Sequence, residues 1–443
     1  MRIQGLIRGQ GSQTLRRMSG LSLATVGAIV LAACGSSSST SSSSSAAASN
    51  PGVPSSISVT SYTPDLASTM SLLQPLTKYA TKGAASLLVG VILPDTTSSV
   101  RWVQYDQPYL SDAFADAGYT SAEFNVQNAQ GSDPTEVDDA TADINLGAKV
   151  LVFCPLDGPT GLSVAALAAA HNVQLIDYDR AIFPSSGKTY YVSFDNEKVG
   201  ELIGNGFLSC LTSEGLTGAK VFELDGGEDT DPNAISFAEG YNKVVWGSAT
   251  KTVATLPATS TAGGATLIGQ NFAPGWNNTQ GGTIFQQWYT ANPQTTASIE
   301  ANDGLANAVI GDLISDGVKG GTFPTTGQDA TVGGMQNILE GYQCGSVYKP
   351  IYLEAQDAVV MATILLSGNT IPTAILNGTT TDPANSSITE PASLLTPTWV
   401  NKSNMESTVV KDAFDTAAAI CSGTPAYPSY TNLAALCTQD GIS

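Results

Sequence analysis

The sequence contains little of the chemistry that many enzymes and metalloproteins use. His171 is the only histidine among 443 residues, so no Ser-His-Asp or Cys-His arrangement with a second histidine can form. It stands where a predicted helix meets a predicted strand, which indicates a structural role. No Cys-x-x-Cys pair and no Asp-x-Asp-x-Asp-Gly loop occurs, and the glycines Gly226 and Gly227 lack a nucleotide-binding pattern. The sequence therefore predicts no metal site, no cofactor and no catalytic residue.

Basic residues are also scarce. The chain has 18 lysines and arginines against 38 acidic residues, a net charge of −20. The first 33 residues carry four of the arginines and no acid, so the remainder has 14 basic against 38 acidic residues, a net charge of −24. So acidic a chain repels phosphate backbones and anionic lipid headgroups. This excludes nucleic acid and electrostatic membrane docking, and it leaves neutral ligands open.

The N-terminal apolar run, residues 21–33, is too short to span a bilayer. Four arginines precede it, and Leu31-Ala32-Ala33-Cys34 ends it. These features predict a secretory signal peptide over residues 1–33, and the last four resemble a bacterial lipobox, in which Cys34 would be lipidated. An ordinary signal peptide cut elsewhere is the alternative. Serine and alanine dominate the stretch that follows, which predicts a flexible linker over residues 34–60 behind the anchor.

Five further cysteines are present, an odd number, so at least one is unpaired. An exported chain can form disulfides. Cys421 and Cys437 lie close together in the sequence and are the first candidate pair. Cys154 lies within an apolar strand and is expected to be a small buried hydrophobe. The pairing of Cys210 and Cys344 stays open.

Short apolar strands alternate with amphipathic helices in two successive parts of the chain. This rhythm is typical of doubly wound parallel sheets and predicts two similar α/β lobes. Residues 377–393 are rich in Thr, Ser, Asn and Pro and are predicted to be an exposed loop. The predicted strands are 86–94, 122–127, 149–155, 174–179, 190–194, 221–227, 296–302, 322–329 and 345–349. The predicted helices are 106–118, 134–147, 161–171, 197 onward, 233–246, 304–317 and 335–340.

Polar side chains follow several of these strands directly. Asp179 and Arg180 come after the strand 174–178, and Asp195-Asn196 follows the next strand and is suited to cap a helix. Ligands of open α/β sheets bind outside the carboxyl ends of the strands. A carboxylate beside a guanidinium offers acceptors and donors in fixed geometry, which suits adjacent hydroxyls of a sugar ring.

The run Tyr178-Asp179-Arg180 and the stretch VSFDNEKVG at 192–200 resemble the bacterial D-xylose-binding proteins, and the chain is also similar to the multiple-sugar-binding lipoproteins. The resemblance covers about residues 86–419. It implies a type I periplasmic binding protein fold, with two lobes joined by three chain crossings near 195, 349 and 393. The first lobe would contain 61–195 and 350–393, and the second 196–349 and 394–443.

The resemblance also implies which residues contact the ligand. Arg101-Trp102, Asn233, Trp276, Asn302, the run 327–329 and Lys349 match motifs of that family in order. For Trp102 and Trp276 packing is the alternative role, and Asp231 and Asp303 could be helix caps. Asp157 stands where the family more often has asparagine. The candidate ligand-binding residues are Arg101, Trp102, Asp179, Arg180, Asn233, Trp276, Asn302, Asp329 and Lys349.

The resemblance therefore implies a monomeric, lipid-anchored binding protein on the extracytoplasmic side of the cell membrane. It would deliver xylose or a related aldose to the membrane permease of an ABC importer and would not be an enzyme. One alternative is a receptor subunit that reports sugar to a membrane kinase or chemoreceptor. Another is a surface glycosidase, in which two of the aspartates would form the carboxylate pair.

Overall fold

The computed structural model describes residues 50–84, 86–184, 188–227, 231–249 and 264–443. The predicted signal peptide, the lipidation site Cys34, residues 34–49 of the predicted linker and the loop 185–187 lie outside these residues. No helix within the described ranges is both long and apolar enough to cross a membrane.

Strands and helices alternate along most of the described chain. The strands are β1 (Val89–Leu93), β2 (Phe124–Asn128), β3 (Val150–Phe153), β4 (Gln174–Tyr178), β5 (Thr189–Phe194), β6 (Lys220–Gly226), β7 (Thr266–Ala273), β8 (Ala297–Glu300), β9 (Thr325–Gln328), β10 (Gln343–Tyr348), β11 (Gly378–Thr381), β12 (Thr389–Leu395) and β13 (Thr398–Val400). The helices are α1 (Leu66–Met70), α2 (Gln74–Ala80), α3 (Gln107–Asp116), α4 (Asp133–Leu146), α5 (Gly158–Ala170), α6 (Asn196–Ser213), α7 (Pro232–Trp246), α8 (Asn278–Ala291), α9 (Asp303–Ser315), α10 (Val332–Glu340), α11 (Ile351–Leu366), α12 (Ala417–Ser422) and α13 (Leu433–Asp440).

The first lobe is built on a seven-stranded sheet in the order β11-β12-β5-β4-β3-β1-β2, parallel except for the pair β11 and β12. Its central strands are buried on both faces, because side chains alternate between two layers of helices. In β3, Val150 and Val152 belong to the core that includes α3 and α11. Leu151 and Phe153 belong to the core under α4 and α5. This is a doubly wound arrangement.

The second lobe has two three-stranded sheets, β7-β6-β8 and β13-β10-β9. Side chains join them along the seam between β8 and β9: the backbone N–H of Glu300 donates to Thr326 Oγ1 at 2.9 Å, and that of Thr326 donates to Glu300 Oε2 at 3.0 Å. Helices α6 and α7 pack together on this lobe. Their close approach depends on Gly200, where an added Cβ would lie 2.1 Å from the Phe237 carbonyl oxygen.

The chain passes between the two lobes three times, as the predicted fold class requires. It leaves the first lobe between β5 and α6, returns between β10 and α11, and leaves again between β12 and β13. The third passage comes slightly later than predicted, since Leu394 and Leu395 still pair with Ser193 and Phe194 in the large sheet.

Two sequence predictions about irregular segments are wrong. Residues 377–393 are not simply an exposed loop, because β11 and most of β12 lie there and complete the edge of the large sheet. The predicted linker does not continue to residue 60. From residue 50 the chain packs on the first lobe: Asn50 Nδ2 donates to the Ser367 carbonyl at 2.8 Å, and Ile57 is 1% exposed.

The five described cysteines form two disulfides and leave one thiol free. Cys421 and Cys437 form the predicted disulfide, and Cys154 is free and buried, as expected. Cys210 and Cys344 form a second disulfide that joins α6 to β10 across 134 residues of sequence.

Candidate functional site

A cavity lies between the two lobes at the carboxyl ends of their strands, with about 330 Å³ of space not filled by atoms. That space includes the part of the cleft that is open to solvent. All nine predicted ligand-binding side chains line it, although they come from segments far apart in the sequence. The lining consists of Ser98, Ser99, Arg101, Trp102, Asp179, Arg180, Asn233, Phe237, Trp276, Asn302, Gln328, Asp329 and Lys349.

Three of these residues have a backbone that only glycine adopts without strain. Asp179, Trp276 and Asp329 have φ values of 63°, 57° and 94°. Asp179 directly follows β4 and Asp329 directly follows β9, so the left-handed turn occurs where each strand ends. Such strain costs about 1–3 kcal/mol per residue and persists only where the surroundings enforce it. Three of the seven described non-glycine residues with positive φ therefore line this one cavity.

Arg101 is held in a buried network of three carboxylates. It is 2% exposed; its Nε and Nη2 donate to the two oxygens of Asp106 at 2.9 and 2.7 Å, and its Nη1 donates to Asp179 at 2.8 Å. Nη2 also donates to Glu354 at 2.8 Å. Four of its five N–H groups are thus used within the protein, which leaves one for a ligand.

The charges of this network are set by competition between burial and pairing. Burial alone would lower the pKa of Arg101, but the three carboxylates outweigh it and the pKa lies well above its usual value. Burial raises the pKa of Glu354 to about 8, in spite of Arg101. Burial also tends to raise the pKa of Asp179, but Arg101, Lys349 and Arg180 lower it below its usual value. Asp179 is therefore a carboxylate at neutral pH and a strong acceptor for hydroxyl groups.

Asp179 connects the first lobe to the second. Asn233, at the start of α7, donates from Nδ2 to the Asp179 carbonyl at 3.0 Å and to its Oδ1 at 3.3 Å. Lys349 Nζ lies 3.9 Å from the same Oδ1. Lys349 also lines the cavity, with its ammonium group 5.9 Å from the centroid of the Phe237 ring.

Arg180 is placed differently from Arg101. Its Nη1 donates to the Pro155 carbonyl at 2.9 Å, while its Nε and Nη2 have no acceptor in the part of the chain that the structure describes. Both guanidinium groups lie over the Trp102 ring, at 4.4 Å for Arg101 and 5.5 Å for Arg180. Trp102 is itself fixed by donation from Nε1 to Ser98 Oγ at 3.1 Å. It therefore both lines the cavity and orients the two cations.

Trp276 forms the aromatic wall on the second lobe. Its Nε1 donates to Asp231 Oδ2 at 2.8 Å, and Asp231 caps α7 through its other oxygen, as the sequence allowed. The ring packs against Gly226, where an added Cβ would lie 1.8 Å from a ring carbon. Glycine is required there because any side chain would displace the tryptophan.

Asp329 also links the lobes, since Ser99 Oγ of the first lobe donates to its Oδ2 at 2.9 Å. The neighbouring Gln328 is 3% exposed and donates from Nε2 to the Ala301 carbonyl at 3.2 Å. Its Oε1 is buried with no partner among the described residues. A buried acceptor without a donor is costly unless a ligand supplies one.

Four lining residues were missed by the sequence reasoning: Ser98, Ser99, Phe237 and Gln328. Gln328 lies within the run 327–329 that carried part of the resemblance, so a signal for it existed. Asp157 lies outside the cavity lining and caps α5. Asn302 caps α9, while Asp303 is buried and accepts from Ser346 and Gln343 at 2.8 Å. The Asp303 cap was thus assigned one residue too far along the chain.

Carboxylate, amide, guanidinium and ammonium groups thus surround a small space that two tryptophans flank. This combination can donate to and accept from several hydroxyl groups in fixed directions, and an aromatic face can cover a C–H surface. In the described ranges no three His, Cys, Asp or Glu side chains converge in a way that could hold a metal ion.

The two lobes with three crossings and a cavity between them define the type I periplasmic binding protein fold. A family model described as periplasmic binding protein domain matches residues 89–370. The chain belongs to this family of periplasmic binding proteins. It is 32% identical over 292 residues to a D-xylose-binding periplasmic protein of Escherichia coli, covering 65% of this chain and 80% of the relative. A D-xylose-binding periplasmic protein of Haemophilus influenzae is 30% identical over 354 residues, 79% of this chain and 97% of the relative.

Solved structures agree in fold. A carbohydrate transporter solute-binding protein of Chloroflexus aurantiacus, in complex with D-glucose, superposes with a TM-score of 0.63 at 25% identity, covering 75% of this chain and 97% of that one. A myo-inositol-binding protein of Caulobacter superposes with a TM-score of 0.57 at 18% identity, over 73% of this chain and 95% of that one.

Proposed function

We propose that this protein captures a monosaccharide, xylose or a related aldose, between its lobes and delivers it to the permease of an ABC importer. The observation that carries the proposal is the convergence of nine separately predicted side chains from both lobes on one cavity. Its mixed donors and acceptors suit a neutral, polyhydroxylated ring. The relatives described as D-xylose-binding support the aldose class.

The division of contacts between lobes gives the proposal its mechanism. Arg101, Asp179 and Arg180 belong to the first lobe, and Asn233 and Asp329 to the second. A sugar that contacts both sets has higher affinity for the closed arrangement and stabilises it by that difference. The closed form is what the permease recognises. The protein makes and breaks no bond.

The proposal extends to the site of action. The chain acts as a monomer on the extracytoplasmic side, tethered through a lipid on Cys34 after removal of residues 1–33. The sequence of residues 31–34 and the serine-rich stretch after it support the anchor. Mass spectrometry of the protein extracted from membranes checks it, because an N-terminus other than acylated Cys34 would contradict it.

Calorimetric titration of the mature protein with a panel of aldoses and inositols tests the binding proposal. We expect heat release with one or a few aldoses, and loss of that heat in Asp329→Ala, which removes a carboxylate from the cavity wall. Asp138→Ala, an exposed acid on α4, is the matched control and should bind like the parent. Thermal unfolding should stay cooperative in both variants. A panel without any binding sugar, or an Asp329→Ala variant of unchanged affinity, would count against the proposal.

A further inference from the structure

Residues 401–443 lie beyond the part of the chain that the family model matches. They are fastened to the second lobe at α10. Gln336 donates from Nε2 to the Ile420 carbonyl at 3.1 Å and accepts from the Ala426 N–H at 2.7 Å. Tyr430 donates to Asn337 Oδ1 at 2.8 Å, and a disulfide closes the segment on itself. The segment is thus a rigid part of the second lobe.

Side chains of the first lobe contact this segment from two elements: Tyr352 of α11 donates to Asp412 Oδ2 at 3.0 Å, and Tyr105 is buried against Phe414. Tyr105 stacks on Phe414 with ring centroids 4.1 Å apart and planes 13° from parallel, and its hydroxyl donates to Asp415 Oδ1 at 2.5 Å. The hydrophobic cluster around Phe414 also includes Ile351 of α11, and among its buried, described members Tyr105 is the one that comes from the turn next to Arg101. This contact therefore ties the two lobes together outside the cavity.

Tyr105 belongs to the same short turn as the ligand-facing arginine. Residues Trp102–Asp106 form a π-helical turn, a rare conformation that recurs at functional sites. Arg101 precedes it, and the bidentate pair between Arg101 and Asp106 spans it. Because the turn is short and closed by that pair, displacement of Tyr105 would displace Arg101 and Trp102 from the cavity wall.

The partner side of the contact is held in an unfavourable conformation. Ala413, directly before Phe414, has a φ of 54°, which a residue with a Cβ rarely adopts. Asp415 is 6% exposed, and its Oδ2 has no partner in the described part of the chain. A strained backbone and a buried carboxylate with one bond persist only where other interactions compensate. Tyr105 supplies the one hydrogen bond that the Asp415 carboxylate makes among the described residues.

We propose that Phe414 and Asp415 form a clasp that positions the turn Arg101–Asp106 against the cavity and stabilises the closed arrangement of the lobes. The role rests on the proposed sugar-binding function, since the clasp acts by holding the first-lobe contacts in place. Tyr105, Phe414 and Asp415 are positioning residues, because none of them lines the cavity.

The test compares two tyrosines whose hydroxyl groups form hydrogen bonds at the C-terminal segment. Tyr105 of the first lobe donates to Asp415 in the segment, and Tyr430 of the segment donates to Asn337 of α10. Tyr105→Phe removes one hydrogen bond between the lobes, the bond to Asp415, whereas Tyr430→Phe removes one within the second lobe. We expect Tyr105→Phe to weaken sugar binding roughly tenfold, through faster dissociation, because a hydrogen bond to a charged group is lost. Tyr430→Phe should leave affinity within about twofold, although both variants lower the unfolding temperature by similar amounts.

A conservative variant separates positioning from general stability. Asp415→Asn keeps an acceptor for Tyr105 and should retain most of the affinity, while Asp415→Ala should match Tyr105→Phe. Small-angle X-ray scattering of the ligand-free protein should show a larger radius of gyration for Tyr105→Phe than for Tyr430→Phe. Equal affinities and equal radii in the two tyrosine variants would overturn the clasp. If the parent binds no sugar at all, the proposed function fails, and the scattering comparison still decides whether the clasp closes the lobes.

Discussion

Individual residues of the cavity divide into those that hold the structure and those that remain available to a ligand. Arg101 and Arg180 stand over the same tryptophan ring, yet their bonding differs. The sequence could place both near a sugar, but it could not distinguish them. Glu354 lies 253 residues from Arg101 in the chain, and Asp179 lies 78 residues away. Only the folded chain brings these carboxylates to one guanidinium.

This difference predicts unequal losses of stability when either arginine is replaced by glutamine. Arg101→Gln should lower the free energy of unfolding by about 3–5 kcal/mol, because it leaves buried carboxylates without a counter-charge. Arg180→Gln should lower it by only about 1 kcal/mol, because among the described residues its guanidinium donates only to the backbone carbonyls of Pro155 and Leu156. It should still weaken sugar binding by at least roughly tenfold. Urea unfolding and calorimetric titration measure the two effects, and equal destabilisation would contradict the division of roles.

At the level of helices and strands, prediction succeeded where composition and periodicity agree. The apolar runs that become β1, β3 and β4 are buried on both faces, so a continuous hydrophobic stretch bounded by polar residues identified them. Predicted helices differ from the observed ones by a few residues at their ends, as for the helix predicted at 161–171 and observed at Gly158–Ala170.

The failures have physical causes. The edge strand β11 is made of glycine and threonines whose exposure alternates, so its composition resembles that of a loop. It forms because β12 offers it unpaired backbone groups, which a local pattern does not reveal. Helix α11 was not predicted at all. It is apolar or buried nearly all round, with Glu354 and Asp357 among its buried residues, so it lacks the polar face that marks a surface helix.

The disulfide between α6 and β10 gives a prediction at this scale. Replacing Cys210 and Cys344 together by alanine should lower the free energy of unfolding by about 2–5 kcal/mol, because the bridge closes a long loop in the unfolded chain. Sugar affinity should change little, since neither cysteine lines the cavity. Chemical unfolding under oxidising conditions measures the loss. Under reducing conditions the difference between parent and variant should disappear, because both then lack the Cys210–Cys344 bridge and both have lost Cys421–Cys437. An unaltered unfolding midpoint in the variant under oxidising conditions would contradict the expectation.

The protein buries many carboxyl groups, and this burial makes its stability depend on pH. Burial raises the pKa of Glu136 and Glu300 to about 8 and that of Asp357 and Glu390 to about 7. In the unfolded chain such groups have a pKa of about 4. Between these values the folded chain binds more protons than the unfolded chain, so the free energy of unfolding falls as pH rises.

We therefore expect the unfolding temperature to be highest in mildly acidic solution and to fall from pH 5 to pH 8. The loss should amount to at least about 2 kcal/mol in the free energy of unfolding over that range. Asp357→Asn should flatten the dependence, because it removes one titrating group while the side chain can still bond to Tyr62. The exposed Asp138→Asn should not flatten it. Scanning calorimetry at a series of pH values measures the unfolding temperature of each protein. An unfolding temperature that rises toward pH 8 would refute the expectation.

The sequence by itself determined the alternation of most strands and helices, the fold class and the kinds of polar residue at several strand ends. These follow from local rules, because hydrophobic period and capping chemistry act over a few neighbouring residues. Tertiary structure alone decided which of those side chains share a cavity, which arginine is neutralised, that Cys210 pairs with Cys344, and where the C-terminal segment contacts the first lobe. These depend on contacts between residues tens to hundreds of positions apart, and no local pattern encodes such distances.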